Sequence, residues 1–505
     1  MPLRTPQQYL ESLRDGRRVF YRGQRVEDVT RHPVIGVAAR HAAIDYEMAE
    51  GEAFRDLAVV DGRSRYYAVP RNADDLLARS KLIEEATRLG GTLVVLIKEI
   101  GTDALFGLTL VCAEVDKRLG TGYLERVRAF HERCATADLA LAVAQTDVKG
   151  DRGLSPSEQA AKGHPDAYLR IVERRPDGIV VRGCKAHTSV STNANEIIVL
   201  PTRAMAEADA DYAVAFAVPA DAPGLTMIAS PHGGTVAEKN AFEHPISAQH
   251  KMMETLTVFD DVFVPNERVF LAGEWQAAGP LALTFVEFHR FTAVSYKLPL
   301  VDALVGTALL LAEYNGIERA GHVRDKLAWL IAYAEGLRAL TETAARRCRV
   351  QGPGVAVPDP MTVNTAKLHF ASNYHQAVAR VQDIAGGLLV TYPAEEDLRS
   401  AELGPLVRRY LGGKLGVDVE ARLRAINLAA DLTASDFGAY QEVLAVHAEG
   451  SIEAEKLTIL RNYDAPAAGG AEIVRGLHRW TAVRIWAAPG HWPESRAAAT
   501  ICLRG

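Results

Sequence analysis

The nine residues from 144 to 152, AQTDVKGDR, concentrate chemical groups that could bind a ligand. They follow the apolar run 139–143 and place an amide, a hydroxyl, two carboxylates and two cations around one glycine. Such a density of polar groups after a hydrophobic segment is costly to bury unless a ligand satisfies it. A solvated turn with a Lys–Asp pair would use the same residues. The candidate binding residues are Gln145, Thr146, Lys149, Gly150, Asp151 and Arg152.

A second constellation lies in residues 288–298, FHRFTAVSYKL. If this segment is helical, His289, Ala293 and Tyr296 fall on one stripe, because they are four and three residues apart. The small Ala293 then leaves a gap about one side chain deep beside an imidazole. His289 could act there as a base or a hydrogen-bond donor, since an unperturbed imidazole titrates near neutrality. A histidine satisfied within the core is the alternative interpretation.

The composition is that of an ordinary globular protein, with 505 residues, 48% of them hydrophobic and 24% charged. A net charge of -6 without a clustered basic face argues against a nucleic-acid partner. The N-terminus has no signal-peptide pattern, and the apolar run 303–312 is too short to span a bilayer. Five scattered cysteines without CxxC spacing indicate reduced thiols. These features predict a cytoplasmic enzyme with no membrane association.

Three patterns of hydrophobic periodicity follow one another along the chain. Residues 1–140 predict mainly helices, at Thr5–Leu13, Ala73–Leu89 and Leu93–Leu119, and 121–144 continue the helical pattern. Short strands with a Pro-Asp-Gly hairpin turn at 176–178 are predicted at 168–173, 178–185, 196–200, 212–218, 225–229 and 256–264. Long amphipathic helices are predicted at 280–313, 319–350, 361–384, 406–432 and 437–462.

This order predicts an α+β fold made of three domains and a tail. We expect an N-terminal helical domain over 1–143, a middle antiparallel β domain over 144–275, a C-terminal helical bundle over 276–465 and an irregular tail over 466–505. The order of helices, β domain and helical bundle is similar to that of the acyl-CoA-dehydrogenase-like flavoproteins. In those proteins the flavin lies between the middle domain and the bundle.

Four ordered blocks carry a more specific resemblance. They are TDVKGDRGLSPSEQ at 146–159, DGIVVRGCKAH at 177–187, VFDDVFVPNERVF at 258–270 and DIAGGLLVT at 383–391. Together they resemble the family of 4-hydroxyphenylacetate 3-monooxygenase and 4-hydroxybutyryl-CoA dehydratase, over nearly the whole chain. The resemblance implies FAD as the cofactor and a homotetramer built on the helical bundle.

The resemblance also implies roles for residues outside the first stretch. Gln145 and Thr146 would face the flavin ring, and Thr188 and Ser189, which follow a predicted strand, would close its second side. An ordinary polar strand end would use the same residues. Further along, Asp383, Gly386 and Gly387 would meet the dinucleotide half of FAD across a subunit boundary, although a plain helix C-cap also uses paired glycines.

The dehydratase branch of the family combines FAD with an iron–sulfur cluster held by three cysteines and one histidine. His289 matches the histidine, but Val95, Glu99 and Tyr296 stand at the cysteine positions. With one ligand of four left, no iron–sulfur cluster and no other metal site are expected. Radical dehydration that depends on the iron is therefore not expected either.

Other positions of the resemblance concern the substrate. Lys297 matches the family's lysine, and Glu254 looks like the counterpart of a functional glutamate in the dehydratase. The monooxygenase branch holds its phenol with an Arg and a Tyr near 95–104 and with a His shortly before Gln145, and this chain has none of the three there. The predicted catalytic residues are His289, Glu254, Tyr296 and Lys297.

The leading functional prediction is a two-component monooxygenase that uses reduced FAD from a separate flavin reductase to hydroxylate an aromatic or other electron-rich small molecule. No GxGxxG fingerprint follows a strand, consistent with an external source of hydride. A second hypothesis is a cluster-free dehydratase or isomerase acting on an acyl-CoA type of substrate with FAD bound. A third is an inactive family member that serves as a binding subunit. The sequence does not identify the substrate.

Overall fold

The computed structural model describes residues 3–232 and 239–463. The helices before the sheets are α1 (Pro6–Ser12), α2 (Ile35–Ala42), α3 (Ile44–Glu50), α4 (Glu52–Ala58), α5 (Ala73–Leu89), α6 (Glu99–Leu119) and α7 (Tyr123–Ala137). The short α8 (Pro156–Ala161) lies among the strands. The later helices are α9 (Trp275–Tyr314), α10 (Gly321–Arg346), α11 (Pro360–Ala385), α12 (Glu395–Arg399), α13 (Gly404–Tyr410), α14 (Val419–Thr433), α15 (Asp436–His447) and α16 (Ile452–Asn462).

The strands are distributed over a longer part of the chain than the middle segment alone. They are β1 (Val19–Tyr21), β2 (Gln24–Val26), β3 (Val59–Val60), β4 (Arg63–Ser64), β5 (Leu141–Ala144), β6 (Arg170–Arg175), β7 (Gly178–Ser189), β8 (Glu196–Val199), β9 (Val214–Pro219), β10 (Leu225–Ala229), β11 (Glu254–Pro265), β12 (Val269–Ala272), β13 (Arg349–Gln351) and β14 (Val355–Val357).

Two sheets position the candidate site. The larger has the order β2-β1-β10-β11-β7-β6, and the smaller has the order β12-β9-β8-β5. Most neighbours are antiparallel, but β1 pairs with β10 in parallel and so does β5 with β8. Both parallel pairs use a strand from the N-terminal part of the chain. The register of β7 and β11 places Glu254 opposite Ser189.

Local signals in the sequence explain where the first helices begin. Thr5 and Gln8 form a capping box at α1, and the Asn72 side chain accepts a hydrogen bond from the backbone of Asp75 at the start of α5. Gly120 ends α6 in the left-handed conformation with φ 67°, which glycine adopts without strain. Helix α5 therefore has the bounds that the sequence predicts.

Several predicted boundaries were wrong. Residues 93–98 are not helical, because Leu96 adopts φ 63° and α6 begins only at Glu99. Residues 141–144 form strand β5 rather than the end of a helix, since this apolar run pairs with β8. The predicted helix 406–432 is divided into α13 and α14 around the glycines at 412, 413 and 416, and the predicted helix 437–462 is divided near Gly450, which has φ 104°.

Helix α9 is the central helix of the C-terminal part. Its 40 residues contain Pro280 and Pro299, and they include the segment 289–297. By length and composition it is apolar enough to cross a membrane, yet 67% of its most apolar window is buried inside the protein. It packs against α5, α6, α10, α11 and α14, so its hydrophobicity is that of a core helix.

The chain up to Thr458 forms one compact unit. The division into domains at 144 and 276 stays a prediction. The predicted tail, 466–505, lies outside the described residues.

Candidate active site

The loop that follows β5 is held in place by a buried ion pair. The Lys185 ammonium lies 2.9 Å from the Asp147 carboxylate, and both side chains are 2% exposed. Lys185 also donates to the carbonyl oxygens of Gln145 and Leu200. Burial lowers the pKa of Lys185. The Lys–Asp pair is therefore internal and links the end of β5 to β7, instead of belonging to a solvated turn.

Three side chains at this junction have polar groups without partners. The carbonyl of Thr146 accepts a hydrogen bond from the Ala186 backbone, which brings the end of β7 alongside the loop. The Thr188 hydroxyl, two residues further on, is fully buried and makes no hydrogen bond within the described residues. The side chains of Gln145 and Thr146 are half-buried, and no hydrogen bond to them is formed within the same part of the chain. These groups fit a heterocycle such as flavin, whose ring edge offers donors and acceptors.

The second half of the loop is a tight turn. Lys149 and Gly150 have φ values of 74° and 50°, and a Cβ at position 150 would lie 2.3 Å from the Gln159 side-chain oxygen. Gln159 accepts from the Asp151 backbone and donates to the Lys149 carbonyl. The Asp151 carboxylate accepts from the backbone of Gly153. Gly150 is thus required by close packing, and Asp151 shapes the turn.

Three cations that form no direct ion pair among the described residues lie around this turn. Lys149, Arg152 and Arg203 form no ion pair within the described residues. Burial, followed by the neighbouring Arg152, lowers the pKa of Lys149. Mutually repelling cations are stabilised by an anion, so the turn suits a phosphate group.

Glu254 lies where the two long strands of the larger sheet pair. Ser189 donates its hydroxyl to the Glu254 carboxylate at 2.9 Å, and Tyr440 of α15 donates to it at the same distance. The ring of Tyr440 stacks on His232 with centroids 4.6 Å apart. Burial raises the pKa of Glu254 to about 7. Ser189, predicted to contact the cofactor, is therefore engaged with a carboxyl group that can exchange a proton near neutral pH.

His289 contacts a carboxylate that the sequence analysis did not single out. Its Nδ1 lies 3.1 Å from Asp103 of α6, and its ring stacks on Phe285 with centroids 5.2 Å apart. Arg79 of α5 and Thr292 donate to the other oxygen of Asp103, at 2.8 and 3.1 Å. The imidazole is thereby fixed at one nitrogen.

Tyr296 and Lys297 are bound around a different carboxylate. Tyr296 donates its hydroxyl to Glu449, and the Lys297 ammonium lies 2.9 Å from the same side chain. Lys367 of α11 contributes a further cation 3.7 Å away. Burial lowers the pKa of Lys297 and raises that of Glu449. No hydrogen bond joins this cluster to His289 in the described part of the chain, so the predicted stripe divides into two polar groups.

The positions that match the iron–sulfur ligands do not form a metal site. Val95 is fully buried, and Glu99 accepts from the backbones of Leu96 and Lys98 at the start of α6. Within residues 3–232 and 239–463, no group of three or more His, Cys, Asp or Glu side chains could hold a metal ion. The donor set does not fit an iron–sulfur cluster.

The predicted dinucleotide contacts lie at the end of α11. Gly386 ends this helix with φ 73°. Both Gly386 and Gly387 are exposed, and a Cβ atom added to either would meet no other atom within 4 Å. Asp383 pairs with Lys326 at 2.9 Å. No hydrogen bond or ion pair joins these residues to the loop 145–152 in the described chain, so their role in binding stays a prediction.

A cleft of about 930 Å³ opens on the N-terminal helices. Its wall contains Tyr67, Arg79 and His131. Arg79 in the wall of the cleft also pairs with Asp103. Asp103 in turn contacts His289, so Arg79 and Asp103 connect the cleft to His289.

Sequence reasoning missed Asp103, Arg79, Tyr440 and Glu449. A signal was available for Asp103, which is a lone carboxylate within the apolar stretch 100–113. Charged residues in such stretches are rarely buried without a partner. Arg79 and Tyr440 lie on helices with other polar residues, and Glu449 lies in the turn between α15 and α16, so none of the three gives a comparable signal.

The chain matches family models along most of its length. Residues 5–271 match the model described as 4-hydroxyphenylacetate 3-hydroxylase N terminal, and residues 278–477 match its C-terminal counterpart. A 4-hydroxybutyryl-CoA dehydratase/vinylacetyl-CoA-Delta-isomerase from Clostridium aminobutyricum is 33% identical over 91% of this chain and 96% of its own. The oxygenase component of 4-hydroxyphenylacetate 3-monooxygenase from Thermus thermophilus is 29% identical over 87% and 90%.

Solved structures agree with this assignment. An archaeal 4-hydroxybutyryl-CoA dehydratase from N. maritimus superimposes with a TM-score of 0.87 at 30% identity, covering 100% of this chain and 99% of that one. The oxygenase component HpaB in complex with FAD and 4-hydroxyphenylacetate gives a TM-score of 0.85 at 26% identity, covering 96% and 100%. The predicted α+β fold is confirmed by these two structures, and the chain belongs to the 4-hydroxyphenylacetate 3-hydroxylase family.

Proposed function

We propose that this protein binds FAD and is the oxygenase component of a two-component monooxygenase, hydroxylating an aromatic or other electron-rich small molecule. The observation that carries the proposal is the junction of β5 and β7, where the buried Thr188 hydroxyl and the Gln145 and Thr146 side chains have no hydrogen-bond partner among the described residues. A relative named as the oxygenase component of a monooxygenase and a solved oxygenase component in complex with FAD support it. Bound FAD, reduced by a separate reductase, would supply the redox chemistry with oxygen.

The protein's own groups would handle the substrate. Glu254 would exchange a proton near neutral pH, because burial raises its pKa to about 7. His289 would orient a hydroxyl group of the substrate through its remaining nitrogen. Tyr296 and Lys297, which are held by Glu449, would maintain the wall of the site between α9 and α15. The Lys149 turn would hold the cofactor phosphates.

The test uses the full chain with FAD, reduced by a general flavin reductase and NADH, under ¹⁸O₂. Incorporation of one labelled oxygen atom into a member of a panel of phenols, with less hydrogen peroxide released than without the phenol, is expected. Stoichiometric hydrogen peroxide with every phenol would contradict the proposal. Absence of flavin absorbance and of FAD affinity would instead favour an inactive binding subunit.

A cluster-free acyl-CoA dehydratase or isomerase is the second candidate. The observation that favours it is that Glu254 and His289 are both placed beside polar partners, in a chain 33% identical to a dehydratase/isomerase. Incubation with a crotonyl-type thioester in deuterium oxide under anaerobic conditions tests it. Deuterium incorporation that is lost in Glu254→Gln would support this candidate over oxygenation.

The assembly and location follow from the same proposal. We expect a homotetramer in the cytoplasm that receives reduced FAD by diffusion from its reductase. Neither nucleic acid nor membrane is an expected partner.

A further inference from the structure

Asp103 is a carboxylate placed inside an apolar helix. Its side chain is 1% exposed, and α6 is buried along most of its length from Glu99 to Cys112. A carboxylate at such a position is maintained only when donors surround it.

The two oxygens of Asp103 have different partners. Oδ1 accepts from Arg79 at 2.8 Å and from Thr292 at 3.1 Å. Arg79 is itself fixed by the Thr102 hydroxyl and by the Tyr66 carbonyl. Among the residues that the structure describes, Oδ2 has one partner, the Nδ1 of His289 at 3.1 Å. Because an ionised carboxylate only accepts hydrogen bonds, the geometry assigns the proton to Nδ1.

This arrangement determines what the other nitrogen of His289 can do. A neutral imidazole has one donor and one acceptor nitrogen, so a proton on Nδ1 leaves a lone pair on Nε2. Nε2 makes no hydrogen bond within residues 3–232 and 239–463. The stacked Phe285 ring, inclined by 14°, fixes the plane of the imidazole. An ion pair that only joined α5 to α6 would need Arg79 and Asp103 but not the histidine.

We propose that Asp103 is a positioning residue, which together with Arg79 holds His289 in the Nδ1–H form so that Nε2 accepts a hydrogen bond from a hydroxyl group of the substrate. The hydroxyl-bearing class of substrate rests on the proposed function, whereas the tautomer does not. The arrangement gives the histidine a function that requires no metal.

The tautomer can be measured directly on the FAD-loaded full chain labelled with ¹⁵N-histidine. Solid-state ¹⁵N NMR distinguishes Nδ1–H from Nε2–H imidazoles, and the difference from His289→Gln isolates the signals of this residue among 15 histidines. We expect Nδ1–H in the wild type. Asp103→Asn should switch the signal to Nε2–H, because the amide can donate to Nδ1, and Asp103→Glu should restore Nδ1–H. An Nε2–H signal in the wild type would overturn the proposal, even if Asp103→Asn failed to fold.

Asp138→Asn is the matched control. Asp138 is also 1% exposed and is paired with the buried Lys98 at 2.6 Å, but it does not contact His289. The control should leave the His289 signal unchanged. If both variants moved the signal alike, Asp103 would have only a structural role.

Turnover tests the substrate contact. With any phenol that is oxygenated, Asp103→Asn should lower kcat by about 100-fold or more while the Kd for FAD is unchanged, since general acid–base and orienting groups contribute roughly 10²–10⁴-fold. An unchanged kcat would refute the contact. If no compound is oxygenated, the proposed function fails, and the tautomer measurement still decides the positioning.

Discussion

At the scale of single residues, Thr188 and Glu254 are the side chains whose environments most clearly indicate a binding or proton-transfer role. Thr188 is 0% exposed with a hydroxyl that has no partner among the described residues. A buried polar group of this kind costs free energy in the unliganded protein. Glu254 has two donors but a pKa raised to about 7 by burial. Both residues therefore lower the stability of the unliganded fold, and both offer a polar group to a ligand.

Replacing Thr188 by Val should weaken FAD binding without weakening the fold. One lost hydrogen bond corresponds to about 0.5–1.5 kcal/mol, or roughly a 2- to 10-fold higher Kd for FAD in a titration. The Tm without FAD should stay unchanged or rise, because an unpaired hydroxyl is removed. The control is Thr87→Val, whose hydroxyl donates to the Ile83 carbonyl away from the loop. Unchanged affinity in Thr188→Val would remove this residue from the cofactor site.

Glu254 should make the stability of the protein depend on pH. Its pKa rises from 4.5 to about 7 on folding, so its contribution is fully present below pH 4.5 and is lost as the pH rises through 7. The loss is at most about 3.5 kcal/mol, at about 1.4 kcal/mol for each pKa unit, and the partial exposure of the side chain reduces it. In urea unfolding at pH 5 and pH 8, Glu254→Gln should gain stability over the wild type at pH 8 only. An equal effect at both pH values would exclude the raised pKa.

At the scale of elements, the site is built where strands from distant segments end. The loop after β5 is attached to β7 by Lys185 and Asp147, and β11 brings Glu254 beside the end of β7. Helix α15 supplies Tyr440 to Glu254, and helix α6 supplies Asp103 to His289 as a separate contact. The position of the loop therefore depends on the sheets more than on the loop's own turn.

Breaking the buried pair from one side should destabilise this junction strongly. Lys185→Met leaves the Asp147 carboxylate buried without its cation, at a cost of about 3–5 kcal/mol in the free energy of unfolding. The double variant Lys185→Met with Asp147→Leu should be more stable than the single variant, because no uncompensated charge remains. Denaturant unfolding measures both. A single variant that lost less than about 1 kcal/mol would show that the pair is not needed to hold the loop.

At the scale of the whole molecule, several strongly exposed apolar side chains lie between residues 403 and 463, on the late helices and in the turns between them. Tyr410 is 71% exposed, Leu415 100% and Val443 60%, and Leu406 and Leu457 are similarly uncovered. Surfaces of this kind mark contacts with other chains. They support the proposed homotetramer, in which the C-terminal helices form the interface.

Light scattering after size exclusion should give a mass of four chains of 54.8 kDa each. Leu406→Glu combined with Tyr410→Glu should yield smaller species, because a charge in an apolar interface is not compensated. Leu119→Glu, at a residue 61% exposed on α6, should leave the mass unchanged. A monomeric wild type at micromolar concentration would contradict the assembly.

The sequence by itself determined the family and the succession of early helices, a β-rich middle segment and long late helices, and it singled out residues 144–152, but it missed β1 to β5. Hydrophobic periodicity and capping residues are local, so α5 and β10 could be predicted with their bounds. The blocks of the resemblance are also contiguous, which is why the candidate cofactor residues could be found without a structure. Tyr296 and Lys297 were found in the same way, because they are adjacent in the segment 288–298.

Only the tertiary structure decided which of these residues work together. The hydrogen bonds of Asp103 to His289 and of Tyr440 to Glu254 each span 186 positions. Likewise, β1 pairs in the sheet with β10, which begins about 200 residues later in the chain, at Leu225. No local pattern encodes such partners, because they are selected by the packing of distant elements around a shared core. The proposed cofactor loop is therefore contiguous in the sequence, whereas the proposed acid–base groups meet their partners only when the helices and sheets pack together.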